Sequence, residues 1–292
     1  MAGKTKQKVG YTVKGPWREI WERLVQNKVA VFGIVVIVLL IVMAIFAPLI
    51  APYGIDEQNL AMKLQGPSAE HIMGTDNFGR DVFSRIVFGS RISLQVGLIS
   101  VGIAALVGGA LGAIAAFYGK TADNIIMRFM DILMAIPGML LAIAIAAALG
   151  PGLGKMMIAI GIGSVPGYAR IVRASVMTVK ETEFVEAAKS IGASDYRIIV
   201  RHIIPNAMAP IIVQATLGIA GAILSAASLS FLGLGIQLPT PEWGAMLSAA
   251  RGYLRDCWWM AMFPGVFIML TVYALNVVGD GLRDAIDPRL RD

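Results

Sequence analysis

The chain has 292 residues, 57% of them apolar and 15% charged, with a formal net charge of +6. That composition excludes an ordinary soluble domain and reads as an integral membrane protein, whose basic residues gather in cytoplasmic loops and need no nucleic-acid partner. The single cysteine, Cys257, excludes an internal disulfide and any CxxC site, and the two histidines, His71 and His202, lie far apart with no HExxH.

Residues 1–28 form a polar tail with seven Lys/Arg against two acids. From Pro16 the spacing predicts a helix with Trp17, Ile20, Trp21, Leu24 and Val25 on one face, suited to the membrane interface or to a neighbouring subunit. Residues 29–292 form one transmembrane domain. The uncharged stretch 29–55 contains a first span, ending near Pro48 or Pro52. Residues 56–91 are a polar loop on the outer side. Its segment GTDNFGRD (74–81) favours turns, and Asp–Arg pairing is expected to hold it as a structural element in preference to a functional one.

Residues 92–119 hold the second span, in which Gly108, Gly109 and Gly112 permit close helix approach. The GKT that follows is not a Walker A motif, because the required upstream glycine is Ile114. A third span, 125–150, carries Arg128 and Asp131 at i,i+3, expected to pair, and a kink at Pro137–Gly138. A fourth, 156–178, ends with Arg170 and Arg173 positioned to snorkel. The uncharged stretch 203–241 is too long for one straight span and reads as a helix over about 207–230 followed by a glycine-rich turn. Residues 242–256 suit a short amphipathic helix. The sixth span, 257–279, is interrupted at Pro264–Gly265. With six spans and an inner N-terminus, the inner segments hold 18 Lys/Arg and the outer ones 7, which places both termini in the cytoplasm.

The longest polar interruption in the second half is 183–210, EFVEAAKSIGASDYRIIVRHIIPNAMAP. It reads as two short helices joined at Gly192. Thr182 is the expected N-cap of the first, with Glu183 and Glu186 in its first turn, where carboxylates suit the helix dipole. Ala187 and Ala188 offer a flat small-residue face, and Gly192 supplies the left-handed stop. Ser194 or Asp195 caps the second helix, and Pro205 is expected to end it.

Glu186-Ala187-Ala188, three residues, Gly192 and then Pro205 resemble the EAA loop of bacterial ABC importer permeases. The segments 74–97, 127–137, 229–247 and 279–290 extend the resemblance over nearly the whole chain. They are similar to the dipeptide/oligopeptide/nickel branch, in its second membrane subunit of dipeptide-permease C type. His202, where the general pattern has a branched apolar residue, matches the RHxLPNA variant of that branch and is expected to be structural. The resemblance implies an all-α membrane protein with the six-helix type I ABC importer permease fold. It implies a coupling loop at about 180–206 in which Glu183, Glu186, Ala187, Ala188, Ser190, Gly192, Ala193, Asp195, Arg197 and Pro205 meet an ATPase. It also implies a homologous second permease subunit, two ATPase subunits that bind ATP and magnesium themselves, and an extracytoplasmic substrate-binding protein. The chain itself would hold no cofactor, metal or catalytic site. Its place would be the bacterial cytoplasmic membrane and its cargo di- or oligopeptides. Alternatives are a nickel, glutathione or other small-ligand permease of the branch, and, outside transport, a membrane-embedded enzyme or a passive channel.

Overall fold

The computed structural model describes residues 16–286; the basic stretch 1–15, the Trp17 side chain and the tail 287–292 lie outside the described residues. All regular structure among the described residues is helical. In α1 (Pro16–Gln26), Ile20 and Leu24 pack against Ala30, Leu282 and Ala285, while Trp21 and Val25 stay exposed. Asn27 starts α2 (Lys28–Ile45): its side-chain oxygen accepts from the Val29 and Ala30 N–H groups at 3.0 and 3.2 Å. The short α3 (Ala47–Ile50) follows, with its proline in the first turn.

α4 (Val82–Tyr118) begins well inside the polar loop rather than at Ile92. Asp81 caps it, accepting from the Ser84 N–H at 2.7 Å. Its arginines are accommodated by carbonyls elsewhere: Arg85 donates to Ile55 and Pro239, and Arg91 donates to Ala44 and Ile45. At 1.5 Å per residue the helix is about 55 Å long, well beyond a ~30 Å hydrocarbon core. Gly119, at φ +60°, ends it.

α5 (Lys120–Met134) and α6 (Gly138–Leu149) meet at 87°, so the expected kink at Pro137–Gly138 is a full elbow. α7 (Leu153–Lys180) covers the stretch read as the fourth span, but it is not among the helices apolar enough to cross a membrane by length and composition. It lies directly against α4. A Cβ on Gly112 would stand 2.2 Å from the Ala169 carbonyl oxygen, and one on Gly108 2.6 Å from that of Val165. Gly109 is not part of this seam, having only an ordinary contact with Val172.

After α8 (Glu183–Ser190) come a single turn, α9 (Asp195–Arg197), a π-helical turn (Ile198–Ile203) and α10 (Ile204–Phe231). These last three form one 37-residue rod. Pro205 therefore does not end a second short helix; it sits in the first turn of α10. The wider turn, with the Ile204 N–H bonded to the Ile199 carbonyl, lets the rod pass a residue that has no N–H. The Asn206 side chain donates to the His202 carbonyl at 2.7 Å in the same turn. α11 (Trp243–Ala250) and α12 (Trp259–Ile286) complete the chain, and α12 continues through Pro264.

Four helical runs, Lys28–Ile45, Val82–Tyr118, Asp195–Phe231 and Trp259–Ile286, are long and apolar enough to cross a membrane, and the bent α5–α6 pair makes five. Replacing Gly112 with valine should lower thermal stability in detergent by about 1–3 kcal/mol, the usual penalty for overpacking. Light scattering or tryptophan fluorescence on heating would read it, and an unshifted transition would refute the close α4–α7 seam.

Candidate functional site

The stretch 183–210 forms a bracket with two unlike faces. Thr182 occupies the N-cap position of α8, but its hydroxyl donates backwards to the Val179 carbonyl at 2.6 Å and does not cap the helix. Glu183 and Glu186 remain exposed in the first turn, where the helix dipole favours them. Gly192 sits at φ +75°. Its N–H donates to the Lys189 carbonyl at 2.9 Å, and that of Ala193 to Ala188 at 3.1 Å. This paired pattern is a Schellman stop, and it needs the left-handed residue. Ser194, not Asp195, takes the cap position of α9.

The inward face consists of Val185, Ala188, Ile198 and Ile203, packed on Ala113, Ala116 and Phe117 of α4 and Val172 and Val176 of α7. Lys180 ties the bracket to the end of α4, donating to the Ala116 and Phe117 carbonyls at 3.0 and 2.6 Å. The expected flat Ala187–Ala188 face is therefore divided: Ala187 is exposed and Ala188 is buried against the chain's own helices. Consecutive helical residues point about 100° apart, and here α4 and α7 cover the second of the two alanines. The exposed face carries Glu183, Glu186, Ala187, Ser190, Gly192, Asp195, Arg197 and Pro205, with Ala193 half-buried at its edge. It also shows large apolar side chains that sequence reasoning missed, among them Phe184, Ile191 and Tyr196, exposed by 43%, 84% and 76%. Phe184 and Ile191 stand seven residues apart, one helical face, and that spacing was the available signal.

At the opposite end, GTDNFGRD is a buried polar knot, as its pairing predicts. Asp76 accepts from Arg80 Nε at 2.7 Å and from the Phe78 and Arg80 N–H groups, with Arg85 Nε at 3.7 Å. His71 Nδ1 lies 3.0 Å from Asp81, the cap of α4. The indole N–H groups of Trp259 and Trp243 donate to the Thr75 and Ile86 carbonyls, each at 3.1 Å. Buried Glu242 caps α11 through the Gly244 and Ala245 N–H groups, both at 2.8 Å. Burial pushes its carboxyl above the usual carboxylate range, and these bonds oppose the shift.

Between the two ends, a cavity of about 530 Å³ opens at the α5–α6 elbow. Its lining includes Pro137, Ser164, Tyr168, Gln214 and Ser225. Glycines 138, 167 and 221 also face it, and an added Cβ at any of them would meet nothing within 4 Å. Nearer the bracket, α5 and α7 are joined by charge. Arg173 holds Asp123 in a bidentate pair at 2.5 and 2.6 Å, and Arg170 holds Asp131 at 2.5 Å. Neither arginine is a lone snorkelling cation, and Asp131 pairs across helices rather than with Arg128. No group of three or more metal-ligating side chains occurs among the described residues.

Residues 108–292 match the family of inner membrane components of binding-protein-dependent transport systems. This chain belongs to that family. Residues 15–67 of the permease match the N-terminal transmembrane domain of oligopeptide transport permease C. The permease is 52% identical over 281 residues to the dipeptide transport system permease protein DppC of Alkalihalophilus pseudofirmus, covering 96% of this chain and 92% of that one. It is 47% identical to the di/tripeptide permease DppC of Pseudomonas aeruginosa, over 95% and 93% of the two chains. It is 48% identical to the glutathione permease GsiD of Escherichia coli, over 96% and 92%. Among solved structures, the inward-facing MetNI methionine ABC transporter aligns with TM-score 0.57 at 18% identity, covering 70% of this chain and 98% of that one. An amino acid ABC transporter aligns with TM-score 0.52 at 14% identity, covering 68% and 92%. Those two share the ABC permease fold.

The permease is thus an inner-membrane transport subunit and not an enzyme. Its family serves binding-protein-dependent transport systems. The knot makes a separate demand, on stability. Asp76→Ala leaves Arg80 charged and buried without its partner, which should cost about 3–5 kcal/mol. A thermal melt in detergent would measure it; a melting point within about a degree of wild type, an effect of only tenths of a kcal/mol, would show that the knot is not needed for stability.

Proposed function

We propose that this permease carries di- and oligopeptides, and that the exposed face of the bracket is where an ATPase subunit docks. The carrying observation is that face itself: Glu183 and Glu186 beside Phe184, Ile191 and Tyr196, three large apolar side chains left exposed. Apolar residues so placed, with Glu183 and Glu186 in the first turn of α8 beside them, suit a partner groove with an apolar centre and a basic rim facing that turn. Glu186 meets the basic rim, Ala187, Ser190 and Gly192 allow close approach, and Asp195 and Arg197 bound the contact. Pro205 contributes indirectly, through the π turn that joins the bracket to the α10 rod.

The surrounding topology is six crossings, by α2, α4, the α5–α6 pair, α7, α10 and α12, with both termini and the bracket in the cytoplasm. The basic bias of 18 against 7 supports this orientation. α1 lies in the membrane interface, and the loop 56–91 shapes the outer vestibule where the binding protein delivers substrate. A homologous second permease subunit completes the path, and two ATPase subunits hold ATP and magnesium, leaving this chain without a cofactor. The elbow cavity, with its unfilled glycine positions, is this chain's share of the path.

Similarity to the dipeptide and di/tripeptide permeases supports peptides as cargo. Glutathione, the cargo named for GsiD, is itself a tripeptide and belongs to the same chemical class.

The test is uptake by the complete complex in proteoliposomes. Labelled dialanine should enter only with ATP inside, and unlabelled peptides should compete where nickel salts do not. Gly192→Pro removes both the left-handed turn and the bond to Lys189, and Ile191→Glu puts charge into the apolar centre. Each should cut uptake about tenfold, equivalent to ~1.4 kcal/mol, with membrane insertion intact. Wild-type uptake in both variants would reject the bracket as the docking face, and uptake without ATP would reject the importer reading.

A further inference from the structure

Asp131 stands between two arginines and uses one. Arg170 on α7 holds it at 2.5 Å. Arg128 is its i,i+3 neighbour on α5, a spacing at which helix side chains meet. Arg128 lines the same charged cleft, of about 730 Å³, and forms no ion pair among the described residues.

The position of this pair gives it leverage. The apolar seam between α5 and α7 consists of Met130, Val165 and Ala169 with Ile126, Met127 and Leu133 around them. Apolar contact is non-directional and permits sliding. The charged pairs set the register, the bidentate Arg173–Asp123 contact most of all. α7 runs almost directly into α8, and Val172, Val176, Val185 and Ala188 share one core. A displacement of α8 therefore moves α7. The far end of α5 is the elbow that walls the cavity, through Leu133, Met134 and Pro137.

We propose that Asp131 is a positioning residue that exchanges between Arg170 and Arg128 during transport. Paired with Arg170, it locks α5 to α7 as in this structure. Paired with Arg128, it frees the upper part of α5 to tilt, and the carboxylate keeps a cationic partner while the elbow moves. Each state keeps Asp131 in one ion pair, so the exchange trades one arginine partner for the other, the form of a two-state element that a partner can bias. The inference rests on the reading of α8 as the coupling helix.

Arg128 separates exchange from a merely structural role, because among the described residues it bonds no carboxylate. In the reconstituted complex, Arg128→Gln should lower dialanine uptake about tenfold, the range of measured couplings in charged networks, with the ATPase rate retained. Arg128→Lys should restore uptake. Wild-type uptake in Arg128→Gln overturns the proposal. So does a parallel loss of uptake, ATPase activity and thermal stability, which would make Arg128 structural. Failure of the wild-type complex to take up dialanine would instead overturn the functional reading, and with it the premise that α8 drives α7.

Discussion

The backbone contact between α4 and α7 is the constraint on which the rest of the architecture depends. Lipid provides no hydrophobic drive to bring two helices together, so they must gain from direct packing and backbone approach. Glycine at 108 and 112 makes that approach possible, since any side chain there would overlap the Val165 or Ala169 carbonyl. α7 is thereby fixed along its middle, and three other features are referred to it. Its lower end begins the bracket, its central residues wall the elbow cavity, and its arginines hold α5.

The two ends of the molecule treat polar groups in opposite ways. At the loop end, Asp76, Arg80, Arg85, Asp81, His71 and Glu242 are all buried and engaged with one another or with backbone. Such a network resists rearrangement, because removing a charged member leaves its buried partner uncompensated. Near the bracket, the Arg170–Asp131 pair is about half exposed, with side-chain accessibilities of 48% and 51%. Water can solvate its members when they part, so exchanging partners there is inexpensive. A fixed frame at the loop end and a yielding one near the bracket suit the proposed drive from the bracket side.

The bracket combines firm attachment with an open face. Its inner residues are core, its Schellman stop sets the angle between α8 and the rod that follows, and Lys180 closes the end of α4. Among the described residues nothing covers the outer face, which displays Ile191 and Tyr196 at 84% and 76% exposure. α9, the π turn and α10 form one continuous 37-residue helical run, which leads from the bracket into the membrane domain.

Local chemistry made much of this legible in the sequence. Long uncharged stretches marked the helices, the Asp–Arg spacing of GTDNFGRD marked a structural knot, Gly192 marked a left-handed stop, and the motif order marked the family. These features depend on residues near one another in the chain, where spacing and backbone preference suffice. What only the tertiary structure decided depends on distant neighbours. Pro205 reads as a helix end from its missing N–H, but a π turn carries the rod past it. Ala187 and Ala188 look equivalent until α4 and α7 cover one of them. Asp131 has a local partner in Arg128, and packing against α7 brings Arg170 to it instead. In each case the sequence determined which bonds a residue could make, and the packing of the helices determined which of them it does make.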